Sequence, residues 1–211
     1  IEALKKLKPS PLHLPEHAAL IRPGNFEDDW SRLADADWVF EAVVEDVEVK
    51  RQLFSRVAAA VKPHAIVTSN TSGLGIAVMT SHLPPEFRRR FLGTHFFNPP
   101  RYLKLLEMIP GPETDPAVVD AISAFCDEGL GKGVVRAKDT PNFIANRIGS
   151  YAFGQAIRAM QDLDLTIEEV DYLTGPSIGR AKSATFRTAD IAGVDVCVKV
   201  WSNLHGAVPG D

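Results

Sequence analysis

The sequence predicts an α/β fold: a mostly parallel sheet followed by a partial, all-helical C-terminal region. Up to residue 138, short apolar and β-branched runs alternate with amphipathic segments of helical period, which is typical of a parallel sheet with crossover helices. From residue 139 onward only helical patterns continue. We therefore predict a first domain at 1–138 and a partial helical domain at 139–211.

The first elements along the chain have mixed signals. Residues 1–10 are typical of a helix end stopped by prolines, 18–21 of a short strand, and 26–36 of a helix that is acidic in its first turn. The run 38–44 is apolar and β-branched, which favours a strand buried on both faces. Only Glu41 interrupts that run.

The remaining elements continue the alternation. The predicted strands lie at 65–68, 91–97, 103–109 and 133–138. The predicted helices lie at 47–61, 75–83, 117–130, 141–162, 166–175 and 189–206. In the first of these helices Val49, Leu53, Val57 and Val61 repeat at helical spacing. Thr166 and Glu169 occupy the positions of a capping box.

Composition excludes several classes of partner. The 211 residues have a net charge of −4 and no long basic run, so we expect neither nucleic acid nor an acidic membrane surface as a partner. No apolar run reaches the ~18 residues of a membrane helix. Cys126 and Cys197 are far apart, which favours reduced thiols in a cytoplasmic protein. The histidines lack metal-ligand spacing, which disfavours a metal site. The first residue is Ile, so we interpret the chain as part of a longer protein.

Two ionisable residues, His95 and Glu107, stand inside apolar stretches on neighbouring predicted strands. A buried carboxylate is costly without a partner, and a carboxylate on one ring nitrogen of a histidine leaves the other free to take a proton. A Pro-Pro turn between the strands would bring the two together as a His–Glu dyad, a general base. The alternative is a structural His and a structural Glu that never meet.

Polar residues follow three successive predicted strands. They are Glu45 with Lys50, the segment Ser69 to Ser72 that includes Asn70, and Asn98. Ligands bind beyond the carboxyl ends of parallel strands, so this pattern favours a cleft. The alternative is that these residues are ordinary caps and turns, with Ser72 as a helix N-cap.

The loop that binds the diphosphate of a dinucleotide is not found in this sequence. Gly73 and Gly75 do not complete G-x-G-x-x-G, and Gly129, Gly131 and Gly133 lie between a helix and a strand, which is the wrong context. Asn146 lies one turn into a helical pattern and is a weaker candidate for the site. A position on a solvated helix face would explain it as readily.

Four segments together resemble the 3-hydroxyacyl-CoA dehydrogenase family: EAVVEDVEVK, SNTS, THFFNPPRYLKLLE and KDTPNFIANR. The resemblance runs from about Glu27 to Trp201. The segment GRAKSATFRTADIAGVDV is similar to the start of the helical substrate and dimerisation region in multifunctional β-oxidation proteins. The fold implied is a truncated Rossmann-like domain that lacks its first βαβ unit, followed by a partial helical domain.

The resemblance implies an NAD-dependent enzyme that oxidises L-3-hydroxyacyl-CoA to 3-ketoacyl-CoA in fatty-acid β-oxidation. It implies His95 as the base and Glu107 as the residue that orients it and stabilises its cationic form. Ser72 and Asn146 would hydrogen-bond the reacting oxygens. The implied cofactor residues are Glu45 and Lys50 near the ribose, Ala42 lining that pocket, Asn98 beside the nicotinamide, and Asn70 and Ser72 facing ligand.

The missing βαβ unit and the short helical region depart from the family. We therefore expect these 211 residues to hold the dyad and half a cofactor site, and to bind NAD weakly or not at all. The expected partners are an acyl-CoA and either a second copy, as a homodimer, or further domains of a multifunctional protein. Two alternatives stay open: a non-catalytic acyl-CoA- or protein-binding module, and another NAD(P)-dependent 3-hydroxy acid dehydrogenase. The dyad disfavours the second, which typically relies on a lysine.

Overall fold

The computed structural model describes residues 1–208, apart from the side chains of Ala3 and Asn203. Its centre is a sheet with the strand order β1-β2-β3-β4-β5. The strands are β1 (Trp38–Glu41), β2 (Ile66–Ser69), β3 (Phe91–Phe96), β4 (Leu105–Pro110) and β5 (Gly133–Arg136). Only β3 and β4 pair antiparallel, and the other neighbours are parallel. The prediction of a mostly parallel sheet is therefore confirmed.

Helices pack on both faces of this sheet. The bounds are α1 (Glu2–Lys6), α2 (Val47–Ala60), α3 (Ile76–Thr80), α4 (Pro85–Arg88) and α5 (Pro116–Ala124), which continues as a π-helical turn at Phe125–Gly129. On one face Phe54 of α2 and Met79 of α3 pack with Phe91 in a buried cluster. On the other face Val119 of α5 packs with Leu106. The sheet is thus the middle layer of three.

Helix α2 shows how the sequence sets this packing. Asp46 caps it by accepting from the N–H groups of Glu48 and Val49 at 3.0 Å each. Val57 is buried as predicted, but Val49 is 45% exposed and Lys50 takes the buried position beside it. The first turn of α2 therefore departs from the apolar repeat, because the buried carboxylate of Glu41 draws Lys50 inward.

Three predicted elements of the sheet region differ in the structure. The strand predicted at 18–21 is wrong: Pro15–Leu20 forms a 3₁₀ turn, because Pro15 sits at a helix start and pairs with no strand. The helix predicted at 26–36 is reduced to a 3₁₀ turn at Trp30–Asp35. The residues before it form a turn instead, in which Asn25 Oδ1 accepts from the N–H groups of Glu27 and Asp28. The strand at 38–44 ends at Glu41, whose carboxylate accepts from the N–H of Val43.

The helical region begins later than predicted and contains one additional break. Its helices are α6 (Ala145–Asp162), α7 (Ile167–Thr174), α8 (Phe186–Ala192) and α9 (Val194–Ala207), with a 3₁₀ turn at Pro176–Ile178. Asn142 and Phe143 have φ of 59° and 50°, so the chain is left-handed where a helix was predicted. Gly193, with φ of 97°, splits the helix predicted at 189–206. The Thr166 capping box is present, as predicted.

The change from sheet to helices falls between β5 and α6. The division at 138 and 139 remains a prediction, and residues 209–211 of the predicted second domain lie outside the described residues. Within residues 1–208, no helix has the length and apolar character needed to span a bilayer.

Candidate active site

His95 and Glu107 face each other across the antiparallel pair β3–β4. They are direct partners in the register, and His95 Nδ1 lies 2.7 Å from Glu107 Oε2. His95 is 4% exposed and Glu107 0%. The predicted hydrogen bond is confirmed, and the alternative of two residues that never meet is wrong. With Nδ1 bonded to Glu107, Nε2 is the nitrogen left for a ligand.

The other oxygen of Glu107 bonds the start of the helical region. Its Oε1 accepts from the N–H groups of Ile144 at 2.9 Å and Ala145 at 2.7 Å. Burial, the largest single influence, raises the pKa of Glu107, but the bonds from His95, Ala145 and Ile144 outweigh it and hold that pKa below its ordinary value. Glu107 is therefore an anion whose position is fixed by both His95 and α6.

Aromatic rings lie around the imidazole. The ring centroid of His95 is 4.4 Å from that of Phe97 and 5.8 Å from that of Phe143. Phe143 is 3% exposed. These rings keep water from the imidazole, so the charge on Glu107 acts on His95 with little screening.

Ser72 lies on the loop after β2. Its carbonyl oxygen accepts from Asn146 Nδ2 at 3.2 Å, and its N–H donates to Glu45 Oε1 at 2.8 Å. Asn146 directly follows Ala145, which bonds Glu107. Contacts through adjacent residues thus connect the Ser72 loop and Asn146 to the dyad. The interpretation of Asn146 as a solvated helix face is wrong, since it is half-buried and bonded to the loop.

Ser72 is not the N-cap of the next helix. That helix, α3, begins at Ile76, and its N-cap position is Gly75. The carboxylate of Asp139 accepts from the N–H groups of Ile76 at 2.8 Å and Ala77 at 3.0 Å. Among the described residues nothing bonds the half-buried Ser72 hydroxyl, so it is available to a ligand.

Glu45 and Lys50 lie beneath this loop. Glu45 Oε1 accepts from Thr71 Oγ1 at 2.6 Å as well as from the Ser72 N–H, and its side chain is 28% exposed. The Lys50 side chain is 1% exposed, and its ammonium bonds the carboxylate of Glu41. Glu45 is thus partly exposed beneath the loop, and Lys50 lies buried behind it.

The other predicted cofactor residues lie at the same edge of the sheet. Asn70 Oδ1 accepts from the N–H of Phe96 at 2.9 Å, which ties the end of β2 to β3 and leaves the Asn70 amide nitrogen for a ligand. Ala42 and Asn98 are exposed just beyond β1 and β3. No contact among the described residues joins these two to the rest of the site.

The sequence patterns predict no role in the site for Asp139, Glu41 or Thr71. Glu41 had a visible signal, because it alone interrupts an apolar strand. Asp139 lies in KDTPN, where an Asp two residues before a Pro is typical of a cap, but its target helix is 63 residues away. Within the part of the chain that the structure describes, no group of three or more His, Cys, Asp or Glu residues has the arrangement of a metal site.

Comparison with known proteins assigns both parts of the chain. A family model described as "3-hydroxyacyl-CoA dehydrogenase, NAD binding domain" matches residues 2–140. A second model, "3-hydroxyacyl-CoA dehydrogenase, C-terminal domain", matches residues 143–211. The first match confirms NAD as the cofactor of the sheet domain.

Two bacterial relatives are similar along the whole chain. A Bacillus subtilis (strain 168) protein named "Probable 3-hydroxyacyl-CoA dehydrogenase" is 50% identical over 213 residues, covering 100% of this chain and 27% of that protein. A Deinococcus radiodurans protein of the same name is 47% identical over 211 residues, covering 100% of this chain and 61% of that protein. The chain thus spans less than two thirds of the length of either relative.

The fold matches a solved structure. The crystal structure of M. tuberculosis FadB2 superimposes with a TM-score of 0.78 and 31% identity, over 84% of this chain and 62% of that one. The predicted Rossmann-like fold is confirmed by this match. Since the two family models together match nearly all its residues, the chain belongs to the 3-hydroxyacyl-CoA dehydrogenase family.

Proposed function

We propose that the intact protein oxidises L-3-hydroxyacyl-CoA to 3-ketoacyl-CoA with NAD, and that His95 is the general base. The observation that carries this proposal is the buried His95–Glu107 pair, with Nδ1 and Oε2 2.7 Å apart. Glu107 holds the proton on Nδ1, so Nε2 accepts the proton of the substrate 3-hydroxyl. The imidazolium that forms is then stabilised by the adjacent carboxylate.

Ser72 and Asn146 hold the substrate oxygens in this proposal. The hydroxyl of Ser72 is unbonded among the described residues and half-buried, and Asn146 is fixed by its contact to the Ser72 carbonyl at 3.2 Å. Donors fixed in advance lose little free energy of reorganisation when charge builds on an oxygen. The hydrogen bond from the Asn146 side chain to the Ser72 carbonyl keeps these two residues next to each other.

The carboxyl edge of β1 to β3 fits the nicotinamide and ribose half of NAD. Ala42 and Asn98 are exposed there, Asn70 has a free amide nitrogen, and Glu45 presents a carboxylate that ribose hydroxyls can donate to. Lys50, with a side chain 1% exposed, acts on this region through Glu45. When bound, NAD supplies the hydride acceptor for the substrate C3.

The same proposal covers the setting of the reaction. The substrate and product are acyl-CoA thioesters at two oxidation levels of C3, as fatty-acid β-oxidation requires. We place the protein in the cytoplasm, where its Cys126 and Cys197 stay reduced; both are free thiols. The chain covers 27% of its Bacillus subtilis relative, which fits a domain of a larger multifunctional protein; a homodimer is the other proposed assembly.

The test is oxidation of L-3-hydroxybutyryl-CoA by the intact protein, followed through NADH absorbance. His95→Ala should lower kcat by ~10²–10⁴ with little change in KM, the usual range for a lost general base. His64→Ala, in the exposed turn before β2, is the matched histidine control and should keep kcat. An inactive wild-type protein would favour the non-catalytic binding module, and kcat retained in His95→Ala would remove His95 as the base.

A further inference from the structure

A buried network of polar side chains centres on Glu41, a residue to which the proposed reaction assigns no role. Glu41 is 5% exposed, Lys50 1% and Ser69 0%. Lys50 Nζ donates to both oxygens of Glu41, at 2.8 and 2.9 Å. Ser69 Oγ donates to Oε2 and the Val43 N–H to Oε1, each at 2.5 Å. Several donors thus converge on one carboxylate at the carboxyl end of β1.

Lys50 has a second carboxylate within reach. Glu45 Oε2 lies 3.4 Å from Lys50 Nζ, farther than either oxygen of Glu41. The other oxygen of Glu45 accepts from the loop after β2: from Thr71 Oγ1, and from the N–H groups of Ser72 at 2.8 Å and Gly73 at 3.2 Å. A closer ion pair between Lys50 and Glu45 would draw that carboxylate away from the loop.

We propose that Glu41 is a positioning residue: it holds the Lys50 ammonium, and so leaves Glu45 to fix residues 71–73 and the Ser72 hydroxyl. The buried ammonium needs a counter-charge, and of the two carboxylates only Glu41 is itself buried and hydrogen-bonded to Lys50 through both oxygens. The consequence for catalysis rests on the proposed function, but the effect on the loop does not. A merely structural ion pair would stabilise the fold without setting this loop.

The first test is hydrogen–deuterium exchange of the intact protein, resolved to single residues, for Glu41→Gln. The variant keeps the shape of the side chain and removes its charge, so Lys50 should move to Glu45. The amides of Ser72 and Gly73 should then exchange about tenfold faster or more, the effect of losing a bond to a charged acceptor. The amides of Ile144 and Ala145, bonded to Glu107, are the internal control and should keep their rates. Unchanged exchange at Ser72 and Gly73 would overturn the proposal.

A second variant separates positioning from stability. In Glu41→Gln/Lys50→Met both charges of the buried pair are gone, and Glu45 has no competing ammonium. Exchange at Ser72 and Gly73 should return to within a factor of about three of the wild-type rates. Fast exchange in the double variant would overturn the proposal, and this result can be read even if Glu41→Gln alone does not fold.

Kinetics of the intact protein give the functional readout. Glu41→Gln should lower kcat/KM about tenfold, because the Ser72 hydroxyl is no longer held in place by the loop. A lowered melting point with unchanged kcat/KM for Glu41→Gln would show that Glu41 acts only on stability, and would overturn the proposal. If the wild-type protein shows no dehydrogenase activity, the proposed function fails, while the exchange rates still decide whether Glu41 positions the loop.

Discussion

Replacing Glu107 by Gln removes its charge and keeps its shape, and the structure gives this change an unusually clear outcome. Three donors converge on the Glu107 carboxylate: His95 Nδ1 at 2.7 Å, and the N–H groups of Ile144 at 2.9 Å and Ala145 at 2.7 Å. A Gln side chain has one acceptor oxygen and one NH₂ donor. It cannot satisfy all three.

The side-chain amide introduced by Glu107→Gln has two orientations. With its oxygen toward Ile144 and Ala145 it keeps two bonds and turns its NH₂ toward His95, so Nδ1 must become the acceptor and the proton moves to Nε2. The base nitrogen is then blocked. The opposite orientation sets the NH₂ against two backbone donors, at about 1–3 kcal/mol for each unsatisfied group. The first orientation is therefore favoured.

The expected loss in kcat is ~10³–10⁴, comparable to the loss when a triad histidine is held in the wrong tautomer. The assay is steady-state oxidation of L-3-hydroxybutyryl-CoA by the intact protein, with a thermal melt of the same preparation. Glu113→Gln is the matched control, because Glu113 forms a surface ion pair with Arg88 and lies outside the site. A kcat for Glu107→Gln within a factor of a few of the wild type would refute this reasoning.

Three further predictions follow from the site. Ser72→Ala should lower kcat/KM by up to about a hundredfold, the effect of one lost bond of ~1–3 kcal/mol to the reacting oxygen, with no change in melting point. A lowered melting point with unchanged kcat/KM would return Ser72 to a structural role. Asp139→Ala should instead lower the free energy of unfolding by ~0.5–2 kcal/mol, measured by urea titration, because α3 loses its N-terminal acceptor. The lowered pKa of Glu107 stabilises the fold above its ordinary value of 4.5, and this contribution is lost as the pH falls through the lower folded value. In urea titrations across that acid range, the wild type should therefore lose more stability than Glu107→Gln, and equal losses would contradict the assignment.

The central dyad was predictable from the sequence because its signals are local. An ionisable residue inside each of two apolar strands needs a partner, and a short Pro-Pro connection favours adjacent strands. The register His95↔Glu107 follows from that pairing. The alternation of strands and helices predicted the mostly parallel sheet in the same way.

The support around the dyad was not predictable, because it depends on residues that meet only in the tertiary fold. The start of α6 is set by Glu107, which lies 37 residues before Ile144, and not by any cap next to the helix. The inward turn of Lys50 depends on Glu41, on a different element. The cap of α3 comes from Asp139, so the alternative in which Ser72 is the local cap is wrong.

The most direct measurement of the central claim is the tautomer of His95 in the intact protein, read from the ring-nitrogen chemical shifts of isotope-labelled histidine. At pH values where the imidazole is neutral, the bond to Glu107 Oε2 predicts a proton on Nδ1 and a bare Nε2. Glu107→Gln should move the proton to Nε2. A wild-type His95 that carries its neutral-state proton on Nε2 would contradict the assignment of His95 as a base oriented by Glu107.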